Sequence, residues 1–376
     1  MTVIVDEKAV TFSTKSDLRN KAKIFAIGGG KGGVGKTVLA ASFGVGLAML
    51  GKRVVVVDAD FGGPNLHRVM GIEKPDKTYL CFHQKESNSL DDILIPHPLF
   101  DNLKIMSGAV GVLGVANMYF GEKTKLIRQI QNLDTDFVIL DIGSGSSYNV
   151  LDFFIAANQG IVVVNPDPLS ILEGYNFVKQ TFFRKLMRTL KNCNGTWEII
   201  QKFAYAETHP NLTVEELLRE IAQINEEVWE QIRTWVNAFR PMLLINEVTG
   251  SKDEENGLAV RVAARELLSI DMEYLGVIHH EDLIIKSLQA GIPFICYDPK
   301  NRASSELISI ILTKILHEEK LQPIVEEKTI YKNTKQKNRN RNEECVCSEK
   351  CSYWEVCEFR KKSYPCELGG LQFDSL

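Results

Sequence analysis

The sequence predicts an α/β protein: a doubly wound, mostly parallel sheet with helices on both faces, plus an inserted helical lobe and a small cysteine-rich tail. Three observations lead there. Short β-branched runs alternate with helical stretches of roughly ten or more residues, the rhythm of repeated strand–helix crossovers. Several of the runs are apolar on successive residues, as strands covered on both faces are. A glycine-rich segment follows the first run and precedes an apolar helix.

The elements follow in order. Residues 1–22 are polar and weakly patterned and read as an arm. The expected strands are KIFAI (23–27), RVVVVD (53–58), LKIMSG (103–108), FVILD (137–141), GIVVV (160–164), MLLIN (242–246) and MEYLGVI (272–278). A helix is expected over 38–50 and another near 169–190. Residues 191–237 break the rhythm and hold three of the four tryptophans, Trp197, Trp229 and Trp235. There Thr213-Val-Glu-Glu resembles a capping box opening a helix that runs to about Phe239. The last core helix, near 301–317, carries Leu307, Ile308, Ile311, Leu312 and Ile315 on one stripe. Residues 318–344 contain KNTKQKNRNRN, with almost no apolar content, and read as a basic linker. The expected organisation is an arm (1–22), an α/β domain (23–317) with a helical insertion (191–237), a linker (318–344) and a tail (345–376).

Composition narrows the function classes. The 376 residues are 44% hydrophobic and 24% charged, the balance of a globular protein, which excludes fibrous, collagen-like and wholly disordered chains. The formal charge of −4 provides no global basic field for nucleic acid or anionic lipid. No apolar run approaches the ~18 residues of a spanning helix. MTVIVDEKAV has neither the basic nor the apolar region of a secretory signal, so a cytoplasmic location is expected.

Five of the eight cysteines, Cys345, Cys347, Cys351, Cys357 and Cys366, fall in the tail. In a reducing compartment such a cluster points to metal before disulfide. The spacing C-x-C-x₃-C-x₅-C-x₈-C is not a paired C-x₂-C motif, and it leaves Zn²⁺, an iron–sulfur cluster and a tail of reactive thiols all open.

The most specific signal is Gly28-Gly-Gly-Lys31-Gly-Gly-Val-Gly35-Lys36-Thr37. Counted from Gly30, it satisfies G-x-x-x-x-G-K-[ST] between a strand and a helix. Gly30, Gly32, Gly33, Val34 and Gly35 let backbone N–H groups turn toward a polyphosphate, and the helix N-terminus adds its positive end. Lys36 would reach the β- and γ-phosphates, and the Thr37 hydroxyl would hold Mg²⁺. ATP and Mg²⁺ are the expected ligands.

Lys31, a second lysine inside the loop, makes the segment KGGVGKT. Here the chain resembles the deviant Walker A family of P-loop ATPases: MinD, ParA, the FlhG (FleN) flagellar-number regulators and the iron–sulfur scaffold ATPases. In that family this lysine crosses a dimer interface to the partner's nucleotide. The resemblance covers roughly residues 21–317, less 191–237. VVVVDADFGGPNLH (54–67) is similar to the family's switch segment; this implies that Asp60 positions the attacking water and that Asp58 lies near Mg²⁺. FVILDIGSG (137–145) looks like the Walker B strand end, implying Asp141 in the outer shell of Mg²⁺ and Gly143 to Gly145 near the γ-phosphate. Each aspartate taken singly is also an ordinary cap or turn residue. LLINEV (243–248) resembles the strand whose asparagine, here Asn246, contacts adenine. DIGSGSSYNVLDFFIAANQGIVVVNPDPLSILEGY is closest to the FlhG version of this stretch.

What the resemblance implies is a regulatory or positioning ATPase whose ATP-bound form is a homodimer and which acts on an unidentified protein partner. The arm has only SDLRNKAK (16–23) where activating FlhG proteins carry D-Q-A-x-x-L-R. Residues 321–335, which contain Pro323, lack the amphipathic stripe of the family's membrane-targeting helix, so any contact with the inner face of the plasma membrane is weak, peripheral and transient. The alternatives are an ATP-dependent metal or iron–sulfur carrier using the tail, and a ParA-like DNA-segregation ATPase; no core helix is strongly basic, which argues against nucleic acid. Lys36→Ala is expected to abolish ATP binding, measured by equilibrium titration with a fluorescent ATP analogue; unchanged affinity would refute the phosphate-loop assignment.

Overall fold

The computed structural model describes residues 21–108, 118–190, 214–224 and 226–316. Residues 1–20 of the arm, residues 109–117, the linker, the cysteine tail and the first half of the insertion, Trp197 included, lie outside the described residues.

All the strands expected from the sequence form. They are β1 (Lys23–Gly28), β2 (Val54–Ala59), β4 (Leu103–Met106), β5 (Phe137–Ile142), β6 (Gln159–Val164), β7 (Met242–Val248) and β8 (Glu273–His279). A further strand, β3 (Ile95–Pro96), was not legible because it is only two residues long. It pairs antiparallel with β4 at the sheet edge, where a proline is tolerated. The order is β3-β4-β2-β5-β1-β6-β7-β8, and every pair except β3–β4 is parallel. From β1 the chain winds outward through β2 and β4. It then returns to slot β5 between β2 and β1, and continues through β6, β7 and β8 on the other side. Reversal of this kind opens a crevice at the carboxyl ends of the central strands.

Alternation along β1 separates two cores. Ile24 and Ala26 face one cluster, which includes Leu126, Phe153, Phe177 and Phe182; Phe25 and Ile27 face the other, with Leu39, Phe43, Phe294 and Leu307. The first cluster is covered by α4 (Phe120–Gln131), α5 (Tyr148–Ala156) and α6 (Pro168–Thr189). The second is covered by α1 (Lys36–Met49) and by α12 (Arg302–Ile310), which continues into a π-turn over Ile311–Ile315.

The helix expected from Thr213 to about Phe239 comes as two, α7 (Val214–Ile224) and α8 (Glu226–Ala238). They close over the first core instead of standing apart from it. Val214, Leu217, Leu218 and Ile221, at helical spacing, are buried in that cluster, as is Ile232. Trp235 packs on Phe182 and on Phe239, each at 5.4 Å between ring centroids, with Lys185 Nζ 4.8 Å from its ring. Between α7–α8 and the last strand, α9 (Ser251–Leu268) contributes Val260 and Ala264 to the same core. Among the described residues no helix is long and apolar enough to cross a membrane.

Just beyond β3, His97 is buried at 4% exposure. Its Nδ1 accepts the Leu99 N–H at 3.1 Å, and its Nε2 is buried without a partner. Burial pushes the imidazole down to about 4. The unfolded chain therefore takes up a proton first as the pH falls. The associated stability is complete above about 6.5 and is lost progressively down to about pH 4, at most ~3 kcal/mol. His97→Asn keeps a side-chain acceptor for the Leu99 N–H and removes the titration. Its denaturation midpoint is expected to fall less than that of wild type between pH 7 and pH 4.5; parallel pH profiles would refute this.

Candidate functional site

The crevice begins where β1 runs out at Gly28. The chain passes through residues 29–35 and enters α1 at Lys36, with no side chain capping the helix N-terminus. Gly33 and Gly35 have φ of 81° and 89°, in the left-handed region. Gly30 is fixed by proximity: a Cβ there would lie 2.2 Å from the Glu173 carbonyl oxygen of α6. The loop is thus wedged against a neighbouring helix. From β7, buried Asn246 donates through Nδ2 to the Val34 carbonyl at 3.0 Å, so it fastens the loop from below.

Strand register sets the charges. Asp58 of β2 and Asp141 of β5 lie opposite one another, and Asp141 also lies opposite Ile27 of β1. Both carboxylates are buried. Asp58 accepts the N–H groups of Asp60 and Leu66, each at 3.2 Å. Neither oxygen of Asp141 has a hydrogen-bond partner. The Thr37 hydroxyl is near enough to favour ionisation of Asp141 without completing a bond of ordinary geometry. Burial raises both carboxyls above the usual carboxylate range, and for Asp58 the charge of Asp141 adds to the effect. Lys36, 8% exposed, donates through Nζ to the Lys31 carbonyl at 3.1 Å. Burial lowers its pKa, opposed by the charges of Asp141 and Asp60.

This donor set fits Mg²⁺. An orphaned buried carboxylate beside a hydroxyl is the environment of a hard divalent cation. Among the described residues no three or more His, Cys, Asp or Glu side chains form a cage of their own. The protein's share would therefore be the Thr37 hydroxyl with the carboxylates behind it, and waters and phosphate oxygens would complete the shell.

Two further segments meet here. Asp60 accepts the N–H groups of Gly62 and Gly63 at 3.2 and 3.1 Å. It lies against Gly143, where a Cβ would come within 3.0 Å of its Oδ1. Gly145 donates its N–H to the Gly30 carbonyl at 2.9 Å, tying the segment after β5 to the phosphate loop. Lys31 is held within its own chain: its Nζ contacts both oxygens of Asp167 at 2.9 and 3.0 Å. Asp167 also caps α6, accepting the Ser170 N–H at 3.0 Å. Its importance was missed from sequence, although Asp-Pro ahead of an apolar stretch is a legible N-cap signal.

Residues 20–188 match the family model described as ParA: NUBPL iron-transfer P-loop NTPase. The chain is 28% identical over 275 residues to the septum site-determining protein MinD of Bacillus subtilis, covering 73% of this chain and 82% of that protein. It is 30% identical over 159 residues to the antiactivator FleN of Pseudomonas aeruginosa, covering 42% of this chain and 55% of FleN, about half of its length. Among solved structures, MinD of Pyrococcus horikoshii complexed with Mg-ADP superposes with a TM-score of 0.54 at 20% identity, over 79% of this chain and 98% of that one. The MinC:MinD complex of Aquifex aeolicus gives 0.54 at 18%, over 82% and 100%. The fold and the loop are those of a P-loop NTPase. More narrowly, the resemblance read from the sequence is borne out: the chain is similar to P-loop NTPases of the ParA/MinD family, with MinD and FleN among the proteins it matches.

The crowding is specific to position. Gly30→Ala is expected to lower nucleotide affinity at least about tenfold, because the loop must move off α6. Gly32→Ala, whose Cβ would meet only Ser144 Oγ at 3.6 Å, should change thermal stability little. Equal melting temperatures and equal affinities for the two variants would contradict the wedged geometry.

Proposed function

We propose that the protein is a regulatory ATPase of the MinD/FleN type, in which ATP binding closes a homodimer that engages a protein partner and slow hydrolysis reopens it. The observation that carries this reading is the placement of Lys36, Asp58, Asp60 and Asp141 around one crevice, beside a loop that offers a second lysine. ATP hydrolysis is the activity of the class. Its assignment to particular residues here, the slow rate and the stimulation by a partner are our inference.

In this reading Lys36 and the loop N–H groups bind the β- and γ-phosphates. Thr37 holds Mg²⁺ directly, with Asp141 and Asp58 in its outer shell; the ion neutralises charge on the transferring phosphoryl group. Asp60 orients the attacking water, and Gly143 to Gly145 read the γ-phosphate. Asn246, which holds the Val34 carbonyl, would also contact the base. Hydrolysis by such a set is chiefly positioning and charge stabilisation, and without a partner it is slow.

The dimer reading draws on the rim. Leu169 and Leu172, in the first turns of α6, are 55% and 53% exposed and follow directly on Asp167. Docking a second copy there would require Lys31 to leave Asp167 for the partner's nucleotide. The partner itself is unassigned; the MinC:MinD complex is one protein-bound example of the fold. The second reading is an ATP-dependent metal or iron–sulfur carrier. It is favoured by the five tail cysteines and by the iron-transfer description of the matching family model. Iron analysis of anaerobically purified protein separates the two: no bound iron together with ATP-dependent dimerisation supports the switch.

Asp60→Ala is expected to bind ATP normally, to lose at least about a hundredfold in turnover and to accumulate as dimer, as read by light scattering with MgATP. Normal turnover would assign the water to another group. Lys31→Ala should bind ATP with near-normal affinity and stay monomeric; a dimer formed with ATP would refute the cross-subunit role.

A further inference from the structure

Asp60 sits on a loop, yet a water-positioning group must hold its place to within about an ångström. The anchor of that loop is the next residue. Phe61 turns inward at 7% exposure, its ring 4.8 Å from Tyr79 and 5.7 Å from Phe153 between centroids. These two rings wall its socket.

Each wall is held by a polar contact to one helix turn. Tyr79, on the short helix Tyr79–His83, is fully buried, so its hydroxyl must find a partner. It donates to Glu122 Oε1 at 2.5 Å, and His83 Nδ1 shares that oxygen. Phe153 stands on α5 next to Asp152, a fully buried carboxylate. Asp152 is gripped by Lys123, by Arg184 at 2.8 and 2.9 Å and by Arg188 at 3.1 Å. Lys123 also donates to Asn149 at 3.0 Å. Glu122 and Lys123 are consecutive residues in the first turn of α4. One turn therefore fixes both sides of the socket: Glu122 holds the Tyr79 wall, and Lys123 holds the helix that carries the Phe153 wall.

We infer that Glu122, acting through Tyr79 and Phe61, is a positioning residue for hydrolysis, with Lys123 bracing the opposite wall. None of these side chains belongs to the phosphate loop, so they set where Asp60 stands and leave the hold on nucleotide alone. The inference rests on the reading of Asp60 as the water-orienting residue.

The test uses the full chain with MgATP. It measures single-turnover hydrolysis, the Kd for a fluorescent ATP analogue and the melting temperature, for wild type, Glu122→Ala, Glu122→Gln, Tyr79→Phe, Asp60→Ala and Asp60→Ala/Glu122→Ala. Glu122→Ala and Tyr79→Phe are expected to slow hydrolysis about tenfold or more with Kd within about threefold of wild type. Glu122→Gln, whose amide oxygen still accepts the Tyr79 hydroxyl, should recover most of the rate. The double variant should be no slower than Asp60→Ala alone, since both changes act on one group. If Glu122→Ala does not fold, Tyr79→Phe decides the matter. A wild-type rate in folded Glu122→Ala or in Tyr79→Phe, beside an inactive Asp60→Ala, would overturn the inference and leave the Asp60 reading standing. So would a loss of nucleotide affinity in step with rate, which marks a merely structural residue. A wild-type rate in Asp60→Ala would remove both.

Discussion

Asp58 and Asp141 are side by side in the interior because β2 and β5 are parallel neighbours in a register that sets the two carboxylates opposite each other, one pair before its end. Like charges buried together disfavour ionisation, and the cost falls only if cations or donors are built around them. Much of the crevice answers that demand. Backbone N–H groups approach Asp58, Lys36 is kept buried despite its own desolvation, and Asp141 is left with two unsatisfied oxygens. A divalent cation with a polyphosphate completes such a site, and an uncharged ligand does not. The need for a compensating cation at this point is in this sense a consequence of strand register.

The phosphate loop is not an autonomous motif in this chain. Its shape depends on α6, whose Glu173 carbonyl leaves no room for a Cβ at Gly30, and on β7, whose Asn246 holds Val34. The segment after β5 is bonded to Gly30, and Asp60 leans on Gly143. A change in one segment is therefore felt by the next through backbone contacts.

The inserted helices show how an addition to an α/β domain becomes part of it. α7 and α8 bring Leu217, Ile221 and Ile232 into the core already formed by α6, and Trp235 covers Phe182. Burial of full aliphatic side chains stabilises by about 1.5–3 kcal/mol each, enough to seat two short helices that would not hold alone in water. On the opposite face of the sheet, α1 and α12 close the second core.

The sequence alone determined seven of the eight strands, the parallel fold class and the phosphate loop. Those rest on local signals: unbroken β-branched runs, a glycine pattern with a lysine and a threonine at set spacing, and helical periodicity. It also marked Asp58, Asp60 and Asp141 as strand-end residues, through resemblance. The tertiary structure alone decided the order of the strands, with β5 slotted between β2 and β1, because pairing across the sheet leaves no trace in local periodicity. It decided that Lys31 meets Asp167, distant in the chain, and that Phe61 is held between Tyr79 and Phe153. It split the expected long helix into α7 and α8 and folded it onto the core, since a periodic apolar stripe says that a helix will be covered but not by what. Contacts between residues far apart in the chain depend on packing geometry, and only the folded molecule holds that information.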